Sequence, residues 1–239
     1  MQVTISGERV QYKGLAIKGW NLDIPGIRFG AHHFRRFNKV YAYVALPDLD
    51  TWVFLRTAAM IQVEMPPHTR SDEPHFILVH DVGNTKKRSW DPPKGQVEYK
   101  EFETIKLRHR SSKTRLHALL REGIAREVEE ESKIKITDVR DLTELDLVVG
   151  GHHDDLPNHF NYQYHLFEGR ITYKTYLKAQ QALEKLRENP ALTVDLPKDV
   201  LEKDRIALWK PSDGLGMVLE GDPQKIIRLY CAYKGLKLQ

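Results

Sequence analysis

Cysteine is nearly missing from this chain: Cys231 is the only one among 239 residues. That excludes an intrachain disulfide and any zinc site built on paired thiolates, and it fits a reducing compartment such as the cytoplasm. No run of residues is long and apolar enough to cross a bilayer. The polar opening Met1-Gln2-Val3-Thr4 also lacks the apolar core of a secretion signal. Internal repeats and low-complexity segments are lacking too. What is there is the composition of a soluble globular protein, 41% hydrophobic and 29% charged. The length suffices to bury a good core, as one domain with elaborations or with a small second one. A formal net charge of +4 leans weakly toward anionic partners.

The most informative stretch is Arg126-Glu127-Val128-Glu129-Glu130-Glu131. Leu116, Leu119, Leu120, Ile124 and Val128 recur at helical spacing and predict a helix from Thr114 to about Ser132, with Ser112 as its cap. On such a helix Glu127, Glu130 and Glu131 project from one face, and Arg126 stands four residues before Glu130, within reach of an ion pair. Crowded like charges repel. Either they are an ordinary solvated face, or a hard cation such as Mg2+ or Mn2+ relieves the repulsion.

Upstream comes Trp90-Asp91-Pro92-Pro93-Lys94-Gly95-Gln96-Val97-Glu98-Tyr99-Lys100-Glu101. Taken with the glutamate run, it makes the chain resemble a Nudix hydrolase. The box of that family reads Gly, five residues, Glu, seven residues, Arg-Glu, an apolar residue, any residue, Glu-Glu, any residue, Gly and an apolar residue. Gly95 and Glu101 match its first half, with Pro93-Lys94 as lead-in; Arg126 to Ser132 and Ile134 match its second. There are two departures. Phe102 to Ala125 replace the seven-residue spacer, an insertion of about seventeen residues, and Lys133 replaces the last glycine. A residue just after a helix often turns left-handed, which glycine does without strain and lysine does not.

The resemblance implies an α/β fold, an α/β/α sandwich around a mixed sheet, here with a β-rich extension over residues 1–50. Residues 51–239 then form the hydrolase domain, with its insertion at about 102–118. In the extension Val3-Thr4-Ile5, Gly14 to Ile17 and Val40 to Val44 have strand character. His32 to Phe37 interleave basic and aromatic residues, which suits either base stacking or a loop with Phe34 and Phe37 packed inward. Thr57 to Val63 and Phe76 to His80 read as strands, as do Asp146 to Val149 and Tyr162 to Phe167. Gly150 to His159, rich in histidine and aspartate, reads as a turn-forming loop rather than a metal site, because its spacing matches no known ligand pattern. Tyr173 to Glu188 reads as a helix ended by Asn189-Pro190, Ile206 to Trp209 as a late strand and Pro223 to Tyr233 as a closing helix.

By resemblance, Glu127, Glu130 and Glu131 would bind Mg2+ or Mn2+, with the Gly95 carbonyl a further ligand. Glu127 or Glu130 would take the proton of the attacking water, and Arg126 would orient the carboxylates. Substrate contacts are expected from Lys94, Glu101 and the basic insertion, including Arg108, Arg110, Lys113 and Arg115. Glu202, or failing it Glu168, would be the extra acid many members recruit. The implied reaction splits a pyrophosphate bond in a substrate linked through a nucleoside diphosphate. The basic insertion points to the 5′ cap of an RNA, while small dinucleoside polyphosphates suit the same chemistry. A Nudix-like binding module without catalysis is the reading from another class.

Overall fold

The computed structural model describes residues 5–6, 9–12, 15–16, 28–34, 39–46, 51–69, 72–98, 101, 112–152, 160–196 and 198–239. The chain divides into two compact units. One is built from Met1–Thr57, Gly95–Ile124 and Asp146–Leu166, the other from Ala58–Lys94, Ala125–Leu145 and Phe167–Gln239. The α/β character expected from the sequence is the one observed. Among the described residues no helix is long and apolar enough to cross a membrane.

In the first unit β1 (Ile5–Ser6), β2 (Arg9–Tyr12) and β3 (Leu15–Ala16) form a small antiparallel sheet. Next, β4 (Arg28–Phe34) pairs antiparallel with β5 (Lys39–Leu46), and β5 with β6 (Thr51–Glu64), so that Tyr43 stands opposite Phe54. That pairing joins residues on both sides of position 50. His32, His33 and Phe34 are strand, not loop; residues 35–38 lie outside the described residues, as do the rest of the leader strands read from the sequence. β10 (Arg140–His152) and β11 (Phe160–Thr172) complete the order β10-β11-β6-β5-β4.

Gly150 to His152 thus extend a strand where a loop was expected, and 153–159 lie outside the described residues. Gly151 permits the extension, since a Cβ there would come within 2.3 Å of the Tyr162 hydroxyl. Opposite faces of β11 differ: Tyr162 and Tyr164 flank Arg56, while Asn161, Gln163 and His165 form a buried polar row. Helix α1 (Ser112–Ser132) begins at Ser112 itself, because Lys113 and Thr114 continue the helix backward instead of breaking it.

The second unit turns on β7 (His75–Asp81), whose Ile77, Leu78 and Val79 are fully buried. It pairs antiparallel with β12 (Lys203–Trp209) on one side and with β8 (Trp90–Asp91) on the other. Register matters here. Lys203 stands opposite Asp81, and Asp91 opposite Val79, so by the period of the pleat Asp81, Lys203 and Asp91 share one face. His80, Trp90 and Arg205 share the other, where His80 Nδ1 lies 2.9 Å from Asp204 Oδ1.

Helix α2 (Tyr173–Glu188) packs against β12 and buries Tyr176, Ala179 and Leu183, while Leu186 on the same apolar stripe is half-buried. Thr172 caps it by accepting from the Thr175 N–H at 3.1 Å. Helix α3 (Asp222–Lys234) starts with Pro223 in its first turn and ends at Gly235, which takes the left-handed conformation with φ of 67°. Its Tyr230 meets Phe76 of β7 edge-on, ring centres 5.4 Å apart.

Candidate functional site

The last two turns of α1 carry the site, and all of its described contacts fall within the second unit. Arg126 lies between two carboxylates. One of its amino groups donates to Glu127 Oε1 and the other to Glu130 Oε2, each at 2.7 Å. The four-residue spacing does what helix geometry predicts. The second oxygens, Glu127 Oε2 and Glu130 Oε1, have no partner among the described residues. Burial pushes the Glu127 carboxyl up to about 8; Arg126 opposes this, and Glu131 and Glu130 add to it. One guanidinium therefore leaves this corner short of positive charge.

Glu131 is treated differently. Its Oε2 accepts from the backbone N–H of Lys94 at 2.8 Å, and its Oε1 lies 3.3 Å from Lys203 Nζ. The Lys203 ammonium also reaches Asp91 Oδ1 at 3.1 Å and Asp81 Oδ1 at 2.5 Å. Asp91 is bound a second time, by Lys94 Nζ at 2.6 Å on Oδ2. Side chains of Lys203, Asp91 and Glu131 are 4%, 2% and 6% exposed, so the centre of this ionic cluster is buried, while Asp81 at its rim is 40% exposed. Burial pulls the Asp91 carboxyl upward, but Lys94 and Lys203 outweigh it and hold the group below its ordinary value. Burial pushes Glu131 up to about 7 against the pull of Lys203. Burial would lower the Lys203 ammonium, yet Glu131 and Asp91 outweigh it and raise its affinity for the proton.

Just past the helix, Lys133 has φ of 60°, the left-handed conformation expected where the resemblance calls for glycine. Its ammonium folds back and donates to the carbonyls of Glu130 and Val200. Ser132 closes the last turn, its hydroxyl donating to the Val128 carbonyl at 2.6 Å.

A divalent cation fits part of this arrangement. Glu127 and Glu130 each offer one carboxylate oxygen in a corner deficient in positive charge, and Mg2+ is commonly held by one or two carboxylates, waters and substrate phosphates. Glu131 has both oxygens engaged. Among the described residues no group of three or more His, Cys, Asp or Glu side chains is gathered as a metal cage.

The other residues singled out by sequence are dispersed. Lys94 joins the site, through its backbone to Glu131 and its side chain to Asp91. Gly95 follows it in β9 (Lys94–Gln96) and belongs to the first unit. Glu101, also in the first unit, accepts from the Glu98 N–H at 3.2 Å. Arg108 and Arg110 lie outside the described residues, and Lys113 and Arg115 fall in the opening turns of α1. Glu202 is exposed ahead of β12, its carbonyl accepting from Val82. Glu168 engages Tyr230 and Lys234 instead, at 3.2 and 2.8 Å. Sequence reasoning missed Lys203 and Asp81. A lysine beside Asp204 and Arg205 carries no spacing signal, and only the pairing of β12 with β7 reveals that it is buried.

No family model matches the chain, and no curated protein matches it. Solved structures similar to it include the Nudix domain of Shewanella oneidensis NrtR complexed with ADP ribose. That pair shares 12% identity over 76% of this chain and 88% of the other, with a TM-score of 0.43. A Caenorhabditis elegans Ap4A hydrolase in a binary complex is 15% identical over 77% of this chain and 98% of its own, with a TM-score of 0.41. A Nudix hydrolase from Nitrosomonas europaea is 14% identical over 78% and 92%, also with a TM-score of 0.41. Similarities this distant decide nothing about the chemistry of the chain.

Proposed function

We propose that this protein is a Nudix-type, metal-dependent pyrophosphohydrolase acting on a substrate linked through a nucleoside diphosphate. The observation that carries this is the pair Glu127 and Glu130, held by Arg126, with one oxygen of each left over in a corner short of positive charge. Those two oxygens would hold Mg2+ or Mn2+. When bound, the ion would offset charge developing on the phosphate oxygens and make water a better nucleophile. Arg126 fixes both carboxylates at 2.7 Å, so neither must reorganise. The Glu131 cluster anchors the end of α1 to β7, β8 and β12, which fixes where Glu127 and Glu130 sit.

For the substrate we infer the 5′ cap of an RNA, with release of the cap nucleotide. Its support is the basic insertion, Lys106 to His117, placed by sequence inside the box. Hydrolysis of cap-labelled RNA, free cap analogue and dinucleoside polyphosphates with Mn2+ or Mg2+ tests both levels. Cleavage of the RNA in preference to the free analogue is expected. Glu130→Gln should slow turnover by ~10²-fold or more, the scale of a lost catalytic group. Preference for the small molecules would sink the RNA assignment alone. Equal turnover by Glu130→Gln would sink the site.

A further inference from the structure

The ionic cluster around Glu131 goes beyond anchoring. We propose that the ammonium of Lys203 is a built-in cation that occupies the third glutamate, so that the site is complete with a single divalent ion, bound through Glu127 and Glu130. This rests on the metal-dependent reading above and specifies how many ions that reading requires.

The geometry leaves Glu131 little to offer a metal. One oxygen is fixed by a backbone N–H, that of Lys94, which is itself the first residue of β9. The other faces Lys203 Nζ, which cannot simply swing away. Asp81 of β7 and Asp91 of β8 grip it as well, and the register of β12 against β7 sets its position. Lys94 Nζ completes the ring by holding the far oxygen of Asp91. All of the charged groups facing Lys203 are thus answered from inside the protein. A second divalent ion at Glu131 would have to displace a lysine held by three carboxylates, those of Asp81, Asp91 and Glu131, and the loss of those contacts opposes it. Among the described residues Arg126 is the cation bonded to the Glu127 and Glu130 carboxylates, and it leaves one oxygen of each uncovered; the Lys133 ammonium stands nearby on the Glu130 carbonyl. A hard ion with a mostly aqueous coordination shell needs no more than that from the protein.

The test counts ions rather than turnover. Mn2+ alone is titrated into the full-length protein, and the free ion is followed by electron paramagnetic resonance. A single ion per chain is expected for the unaltered protein and none for Glu127→Gln combined with Glu130→Gln. Lys203→Met exposes Glu131 and Asp91 to the solvent ion and should take up a second Mn2+, whereas Lys203→Arg should stay at one. Glu131→Gln should also stay at one. This variant decides the matter if Lys203→Met does not fold. Retention of a single ion by a folded Lys203→Met protein overturns the inference, and so does loss of the ion in Glu131→Gln or more than one ion in the unaltered chain. No Mn2+ uptake by the unaltered chain overturns the hydrolase reading and this inference together. The two failures are therefore distinguishable.

Discussion

Within one hexapeptide, glutamates a single turn apart meet opposite surroundings. Glu127 and Glu130 share a guanidinium and keep an uncommitted oxygen each; Glu131 spends both oxygens on Lys203 and Lys94. The helix places all three on one side, but helix geometry does not decide what each carboxylate meets. That is set by the strands: β7 and β12 bring Asp81 and Lys203 face to face, β8 adds Asp91, and together they close over Glu131. The same residue type keeps an uncommitted oxygen at one position and becomes an anchor at the next.

The sealed side should be the costlier to break. Lys203→Met leaves Glu131 and Asp91 buried without their shared cation, and should lower unfolding free energy by ~3–5 kcal/mol in urea titrations. Adding Glu131→Gln should recover part of this, because the abandoned charge is then removed too. Arg126→Met takes the cation from two carboxylates that are themselves only 11% and 23% exposed, and should cost less, about 1–3 kcal/mol. Equal losses at the two positions would erase the distinction between the open and the sealed side.

A smaller effect separates the sides by pH. Glu127 rises to about 8 and Glu131 to about 7 in the folded, metal-free chain, from an ordinary 4.5. Between 4.5 and those values the folded state holds protons that the unfolded state has released, so stability falls as pH rises through the window. Glu127→Gln should flatten the upper part of that fall, read as melting temperature at a series of pH values. Mg2+ should raise the melting temperature most near pH 8, where the corner is richest in negative charge. A melting temperature that climbs steadily from pH 5 to 8 without metal would contradict both shifts.

Much of this site was legible in the sequence, and the reason is local. The period of Leu119, Leu120, Ile124 and Val128 fixed α1, and the spacing of Arg126 and Glu130 fixed their ion pair, because both depend on residues within a turn or two. Tyr173–Glu188 was legible to the residue for the same reason, with a polar stop at Asn189-Pro190. The Lys203 cluster was not. Its members come from β7, β8, β9, α1 and β12, and their meeting depends on strand order and register, which no local pattern encodes. Strand lengths were understated for a related reason. Arg56 inside β6 and Gly151 inside β10 look like breaks, until the Tyr164 hydroxyl is seen to accept from Arg56 and Tyr162 to lie over Gly151.

The smallest contrast lies one residue beyond the cluster, at Lys133. Its backbone is left-handed, with φ of 60°, while its ammonium donates to the carbonyls of Glu130 and Val200. Two substitutions separate these contributions. Lys133→Ala loses the ammonium and keeps a Cβ in the strained conformation; Lys133→Gly loses the ammonium and sheds the strain. The glycine variant should therefore be the more stable of the two by about 1 kcal/mol, at every pH. The ammonium itself should be visible through pH. Burial holds the Lys133 amine down to about 8, against the pull of Glu130 and Glu131, from an ordinary 10.5. Between these values the unfolded chain keeps a proton that the folded chain has released, so the unaltered protein gains stability as pH rises from 8 to 10.5 and neither variant does. A gap between the variants that stays constant, while both fall behind the unaltered chain over that window, would assign the strain to the backbone and the titration to the side chain. Glycine and alanine of equal stability would instead mean that the helix end relaxes around either residue, and that the missing glycine of the box has no energetic consequence here.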